Sequence, residues 1–189
     1  MGKKEINEYA DKTYEQVSSW INNADSKASI LLALIGVFLS VAFTSDFLLN
    51  GVAAELKHVI DLFRCVCSCR TIGSILILTL LGLSLYFFVA SIRHLLVVLF
   101  ARLDDSRKED NPSVSFYKSI GEKQYEEYKN LVSEITEEQL TDDKLRQVHE
   151  CSKICTRKFL NYNDGIKAMK RALLFFALYI AVFLIISSI

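Results

Sequence analysis

The sequence predicts an all-α membrane protein: three transmembrane helices, two or more of them extending into a cytoplasmic helical bundle. Three observations carry this. Apolar residues are gathered into three long uncharged runs. Only seven Gly and one Pro interrupt a chain rich in helix-forming residues. Basic residues cluster next to the runs in an alternating order that fixes a topology. With 22 basic and 22 acidic residues the 189-residue chain has no net charge, so nothing global draws it to a nucleic acid polymer.

The first segment, residues 1–27, reads as a cytoplasmic amphipathic helix, because Ile6, Ala10, Thr13, Val17, Trp20 and Ala24 recur three and four apart. These 27 mostly polar residues also argue against a cleaved signal peptide, which begins with a short apolar stretch near the terminus. Ile6 stands where N-myristoylation wants Ser or Thr.

Transmembrane helix 1 is assigned to 28–49. No charge occurs over 28–45, and Phe47 to Leu49 continue the apolar character beyond Asp46. Crossing a bilayer takes roughly 17–25 such residues. The 50–70 segment reads as an external loop with an interfacial helix, from the spacing of Val52, Leu56, Ile60 and Phe63. It ends in Cys65-x-Cys67-x-Cys69. That spacing leaves three readings open: thiols without function, a disulfide on an oxidising side, or a metal site. His58 is too isolated to complete the last, and no metal is expected.

Transmembrane helix 2 covers 71–92, which is uncharged throughout. Residues 93–171 form the cytoplasmic helical bundle. After the turn signal Asn111-Pro112-Ser113 comes a short stripe of Phe116, Ile120, Tyr128, Leu131 and Ile135. Thr136 with Gln139 fits a capping box opening a long helix over 137–171. That helix carries a heptad seam, Leu145, Val148, Ser152, Cys155, Phe159, Tyr162, Ile166 and Met169, leading into transmembrane helix 3 at 172–189. Lys and Arg crowd 93–108 and 157–171, leaving few for 46–70, so the N-terminus is placed in the cytoplasm and the C-terminus outside.

Within the bundle, 109–143 holds ten acidic residues against three basic, and 144–171 eight basic against two acidic. Helix-to-helix pairing and attraction to anionic lipid explain this; so does an anion site near Arg157, Lys158 and Arg171. Asp25 and Lys27, where the first span begins, are either an interfacial pair or part of a ligand or gating site. No Gly-rich phosphate loop, His-Glu metalloprotease motif or Gly-x-Ser-x-Gly elbow is present, so no enzyme activity and no catalytic residue is expected. No ionisable residue lies deep in any of the three runs.

The segment Ala24-Asp25-Ser26-Lys27-Ala28, entering an apolar helix, resembles the opening of the transmembrane effector family of Pycsar antiphage signalling. The similarity continues in Asn111-Pro112, Phe116-Tyr117 and Gln124-Tyr125-Glu126-Glu127-Tyr128. It extends to Gln147, Ser152, Ile154, Lys158 and Phe159 before the last span, in the same order and over nearly the whole chain. The Cys65–Cys69 cluster is not part of that pattern. The resemblance implies a bacterial inner-membrane effector that senses cyclic CMP or cyclic UMP from a partner cyclase. It implies, too, that the effector oligomerises or rearranges in the lipid bilayer and compromises the membrane of the infected cell. Asp25, Lys27, Gln147, Arg157, Lys158 and Asn161 are the expected polar cluster for ligand binding or gating. Trp20 and Phe159 could stack a base, though both lie on helix stripes, where such residues more often simply fill a core. No cofactor is expected beyond the signalling nucleotide, and the chain is expected to act as a homo-oligomer. The alternative from another class is a membrane-anchored protein-interaction module with no small-molecule ligand.

Overall fold

Helix-favouring residues in long uninterrupted stretches give helices of unusual length. The computed structural model describes residues 2–62, 69–100 and 113–187. Among them there are six helices and no strand: α1 (Lys3–Thr44), α2 (Asp46–Leu62), α3 (Cys69–Leu99), α4 (Tyr117–Gly121), α5 (Tyr125–Glu134) and α6 (Glu137–Ser187). Three of them, α1, α3 and α6, are long and apolar enough to cross a membrane. Cys65, Cys67 and Asn111-Pro112 lie outside the described residues, as does the side chain of Cys69.

The chain divides into two units. A polar unit comprises residues 1–26 and 100–159, and a membrane unit comprises 27–99 and 160–189. Helices α1 and α6 each contribute residues to both.

In the polar unit the start of α6 is set by its cap. The Gln139 N–H donates to Thr136 Oγ1 at 3.3 Å, and the Thr136 N–H donates to Gln139 Oε1 at 3.0 Å. This reciprocal pair satisfies two donors that a helix start leaves unpaired. Glu137 and Glu138 then sit in the first turn, where the helix dipole favours negative charge. The face of α1 that turns inward is the heptad line Ala10, Val17 and Ala24. Trp20, on the expected stripe, is half exposed instead.

In the membrane unit α3 and α6 run antiparallel, and small residues bring them close. Ser84 Oγ donates to the Ala172 carbonyl at 3.0 Å, and Ser91 Oγ donates to the Gly165 carbonyl at 2.8 Å. A Cβ at Gly165 would stand 3.0 Å from the Leu95 side chain, so glycine gives the close approach of the helices its room there. Aromatic rings fill the next layer, with Phe38 of α1 against Phe88 and Phe176. Helix α2 lies on this bundle, packing along α3 and placing Gly51 against the ring of Phe183. Its inward face is Gly51, Val52 and Glu55, whereas Leu56 and Ile60 are half exposed.

Candidate functional site

Two cross-helix ion pairs organise the polar unit. Lys144 Nζ lies 2.7 Å from Asp11 Oδ1 and donates to Asn7 Oδ1 at 3.0 Å. Fourteen residues further along both helices, Lys158 Nζ meets Asp25 Oδ1 at 2.5 Å. Equal steps on α1 and α6 mean that the two helices run parallel and in register here. Two heptads separate the rungs, which is the repeat of a left-handed supercoil.

The rungs differ in burial. The Asp11 side chain is 53% exposed, whereas Lys158 keeps only 9% of its side-chain surface and Asp25 35%. Lys158 is flanked by buried Cys155 one turn back, and Asp25 by fully buried Ala24. Burial pushes the Cys155 thiol above the usual range, and the positive charge of Lys158 partly offsets this. A buried ammonium needs a negative partner, and the carboxylate on the neighbouring helix supplies one.

The structure thus brings Asp25 and Lys158 into direct contact. Arg157 is exposed on the following face, and Phe159 is half-buried beside it. Gln147 stands apart, since eleven residues of helix separate it from Lys158, roughly 16 Å. It belongs to a second cluster, in which its Nε2 donates to Ser113 Oγ at 3.3 Å and to Asp143 Oδ2 at 3.4 Å. Ser113 Oγ also donates to Asp143 at 2.9 Å and accepts the Phe116 N–H at 3.1 Å. This pins the segment before α4 onto α6, a role no short-range pattern in the sequence announces. Lys27 and Asn161 belong to the membrane unit, Lys27 exposed and Asn161 half-buried.

A cavity of about 550 Å³ opens between α5 and α6. Glu134, Glu138, Asp142 and Asp143 line it, against a single cation, Arg146, which pairs with Asp142 at 2.6 Å. Four carboxylates repel a phosphodiester, so this cavity does not fit an anionic nucleotide. Among the described residues no group of His, Cys, Asp and Glu is arranged to hold a metal ion.

Comparison with known proteins bears on this arrangement. The family model of the Pycsar effector protein domain matches residues 9–187. The Pycsar effector protein GmPycTM of Gulbenkiania mobilis is 29% identical over 192 residues, covering 97% of this chain and 96% of that protein. No solved structure matches the chain.

Proposed function

Since the chain belongs to the Pycsar effector transmembrane family of antiphage defence, we propose that it is a ligand-gated membrane effector that works from the bacterial inner membrane. On binding cyclic CMP or cyclic UMP made by a partner cyclase, it rearranges or oligomerises and disrupts that membrane, arresting the infected cell. The reading places the N-terminus and the polar unit in the cytoplasm, where the nucleotide is made, and the C-terminus outside. It involves no catalytic step.

The buried Asp25–Lys158 rung supports this most directly. An incoming phosphate competes with Asp25 for Lys158, a charge-assisted exchange that changes which groups hold α1 and α6 in register. Reversing a 1:99 balance of two states takes about 5.5 kcal/mol of differential binding. Contacts to a charged group contribute about 1.5–3 kcal/mol each, so a few donors to one phosphate suffice. Lys27, Arg157 and Asn161 are the further polar groups assigned to that role, with Trp20 and Phe159 as aromatic surfaces for the base. The cluster around Gln147 then acts by holding the segment before α4. Because α1 and α6 each run through both units, a change at the rung is carried by the same helices that enter the membrane. Three spans leave little room for a water path within one chain, so the leak forms between several copies.

Membrane potential in bacteria expressing the full chain, with cyclic CMP, cyclic UMP or neither, tests this. Collapse with one nucleotide, lost in Lys27→Ala and Lys158→Ala proteins that still insert, is the expected result. A potential that holds throughout, with the protein inserted and abundant, refutes it and favours an anchored interaction module.

A further inference from the structure

Glu55 is the only charged side chain buried in the membrane unit among the described residues. It belongs to the segment between the first two apolar runs, yet α2 carries it onto the transmembrane bundle. Gly51 permits the close approach to Phe183, Val52 packs on the cluster of Ile77, Leu81 and Tyr179, and Glu55 follows one turn later on the same face. Only 6% of Glu55 is exposed, and its Oε2 has no hydrogen-bond partner. Tyr179, in the middle of the third apolar run, is fully buried, and its hydroxyl has no partner either. The two groups are near enough to act on each other electrostatically. They are not joined by a hydrogen bond.

Unpaired polar atoms at membrane depth are costly, and an ionisable side chain held there points to a functional site. Several roles do not suit Glu55. A proton relay needs a chain of proton carriers through the membrane, and among the described residues Glu55 is the only charged side chain the membrane unit buries, with Tyr179 alone beside it. A metal site needs more ligands than this pair offers. An anionic nucleotide is repelled by the carboxylate. Water would relieve both orphaned groups if α2 moved off α6. Space for that movement exists on the other flank of α2: an apolar cavity of about 380 Å³ separates Val52, Ala53 and Leu56 from Phe38 and Ala42 of α1.

We propose that Glu55 lines the ion path of the activated protein and makes the leak cation-selective, with α2 moving away from Tyr179 to expose it. This rests on the reading of the chain as a membrane-permeabilising effector. A carboxylate facing a narrow aqueous path attracts cations and excludes anions, as acidic rings do in cation channels.

The test is the reversal potential of the full chain in planar bilayers under a KCl gradient, with cyclic CMP or cyclic UMP added on the side of the polar unit. Wild type is expected to prefer K⁺ over Cl⁻ by about fivefold, the scale of one charge acting across a few ångströms of water. Glu55→Gln keeps the shape, and its preference should fall toward one while the conductance persists. Glu55→Asp should retain the selectivity. A leak whose selectivity is the same in wild type and Glu55→Gln, or that is unselective in wild type, overturns the assignment of Glu55 and leaves the effector reading intact. Absence of any leak in wild type with both nucleotides overturns the effector reading, and this assignment with it.

Discussion

Lys158 and Glu55 are both buried charges, but the two units treat them in opposite ways. In the polar unit Lys158 is met at 2.5 Å by a carboxylate from the neighbouring helix. In the membrane unit Glu55 keeps an oxygen without a partner, next to a tyrosine hydroxyl in the same condition. The first arrangement fixes register: with the Lys144–Asp11 rung it permits one alignment of α1 and α6 and penalises slippage. The second fixes no register through these atoms, because neither Glu55 Oε2 nor the Tyr179 hydroxyl has a hydrogen-bond partner among the described residues. One unit uses charge to specify its packing, whereas the other bears the cost of a charge that its packing does not use.

Removing a charge should therefore have opposite signs in the two places. The largest effect is expected from Asp25→Ala, which takes the opposite charge away from buried Lys158. Breaking a buried pair costs about 3–5 kcal/mol, and the one-third exposure of Asp25 brings the expectation down to about 2 kcal/mol. Thermal unfolding of the full chain in lipid nanodiscs measures this, and the exchange Asp25→Lys with Lys158→Asp should recover part of the loss. A melting temperature unmoved by Asp25→Ala would remove the rung from the account of the polar unit.

Next in size, and opposite in sign, is Glu55→Leu. Replacing a buried ion pair by apolar side chains of similar volume is often neutral or stabilising by about 1–4 kcal/mol. One carboxyl with an unpartnered Oε2 is half of such a pair, so about 1 kcal/mol is expected, read as a higher melting temperature in the same nanodiscs. Destabilisation on that scale would mean that Glu55 is held by interactions that matter to the resting fold, and the contrast with Lys158 would collapse.

The two charges also differ in how legible they were. Spans declare themselves by the absence of charge over 18 or more residues, and the capping box by two residue types at fixed spacing, so both follow from sequence. Asp25 stands out where the first span begins and Lys158 in the basic stretch before the third, and both recur in the family resemblance, but their contact is a pairing of residues 133 positions apart, which no local pattern encodes. The heptad seam of α6 was legible in period and offset in phase. Apolarity selects Phe159 and Ile166, whereas the buried line runs through Lys158, Gly165, Ala172 and Tyr179. Glycine and alanine carry little hydropathy, yet they are what allows helices to approach closely, so the tightest face is the one a hydropathy pattern underweights. Glu55 was invisible for a related reason. A glutamate on the polar face of an interfacial helix reads as solvated, whereas Gly51 against Phe183 and Val52 on the bundle turn it inward.

The smallest expected effect lies at Cys155, one turn from Lys158, and it sharpens the comparison by reporting on the rung without breaking the fold. Alkylation needs the thiolate. Burial holds this thiol protonated to a higher pH than usual, and Lys158 works against that shift. Cys155 should accordingly react slowly with N-ethylmaleimide near neutrality, and its rate should go on rising past the pH at which an exposed thiol levels off. Lys158→Ala removes the offsetting charge and should move the profile further toward alkaline pH. Linkage gives the sign for stability. The folded state holds its proton more tightly than the unfolded one, so the contribution is complete below the unfolded thiol pKa, about 8.5, and is lost as pH rises above it. A nucleotide phosphate seated on Lys158 would cancel part of that positive charge, so in wild type cyclic CMP or cyclic UMP should shift the alkylation profile in the same direction as Lys158→Ala. Burial limits the rate at every pH, which makes the position of the profile, rather than its height, the quantity that reports the charge beside the thiol.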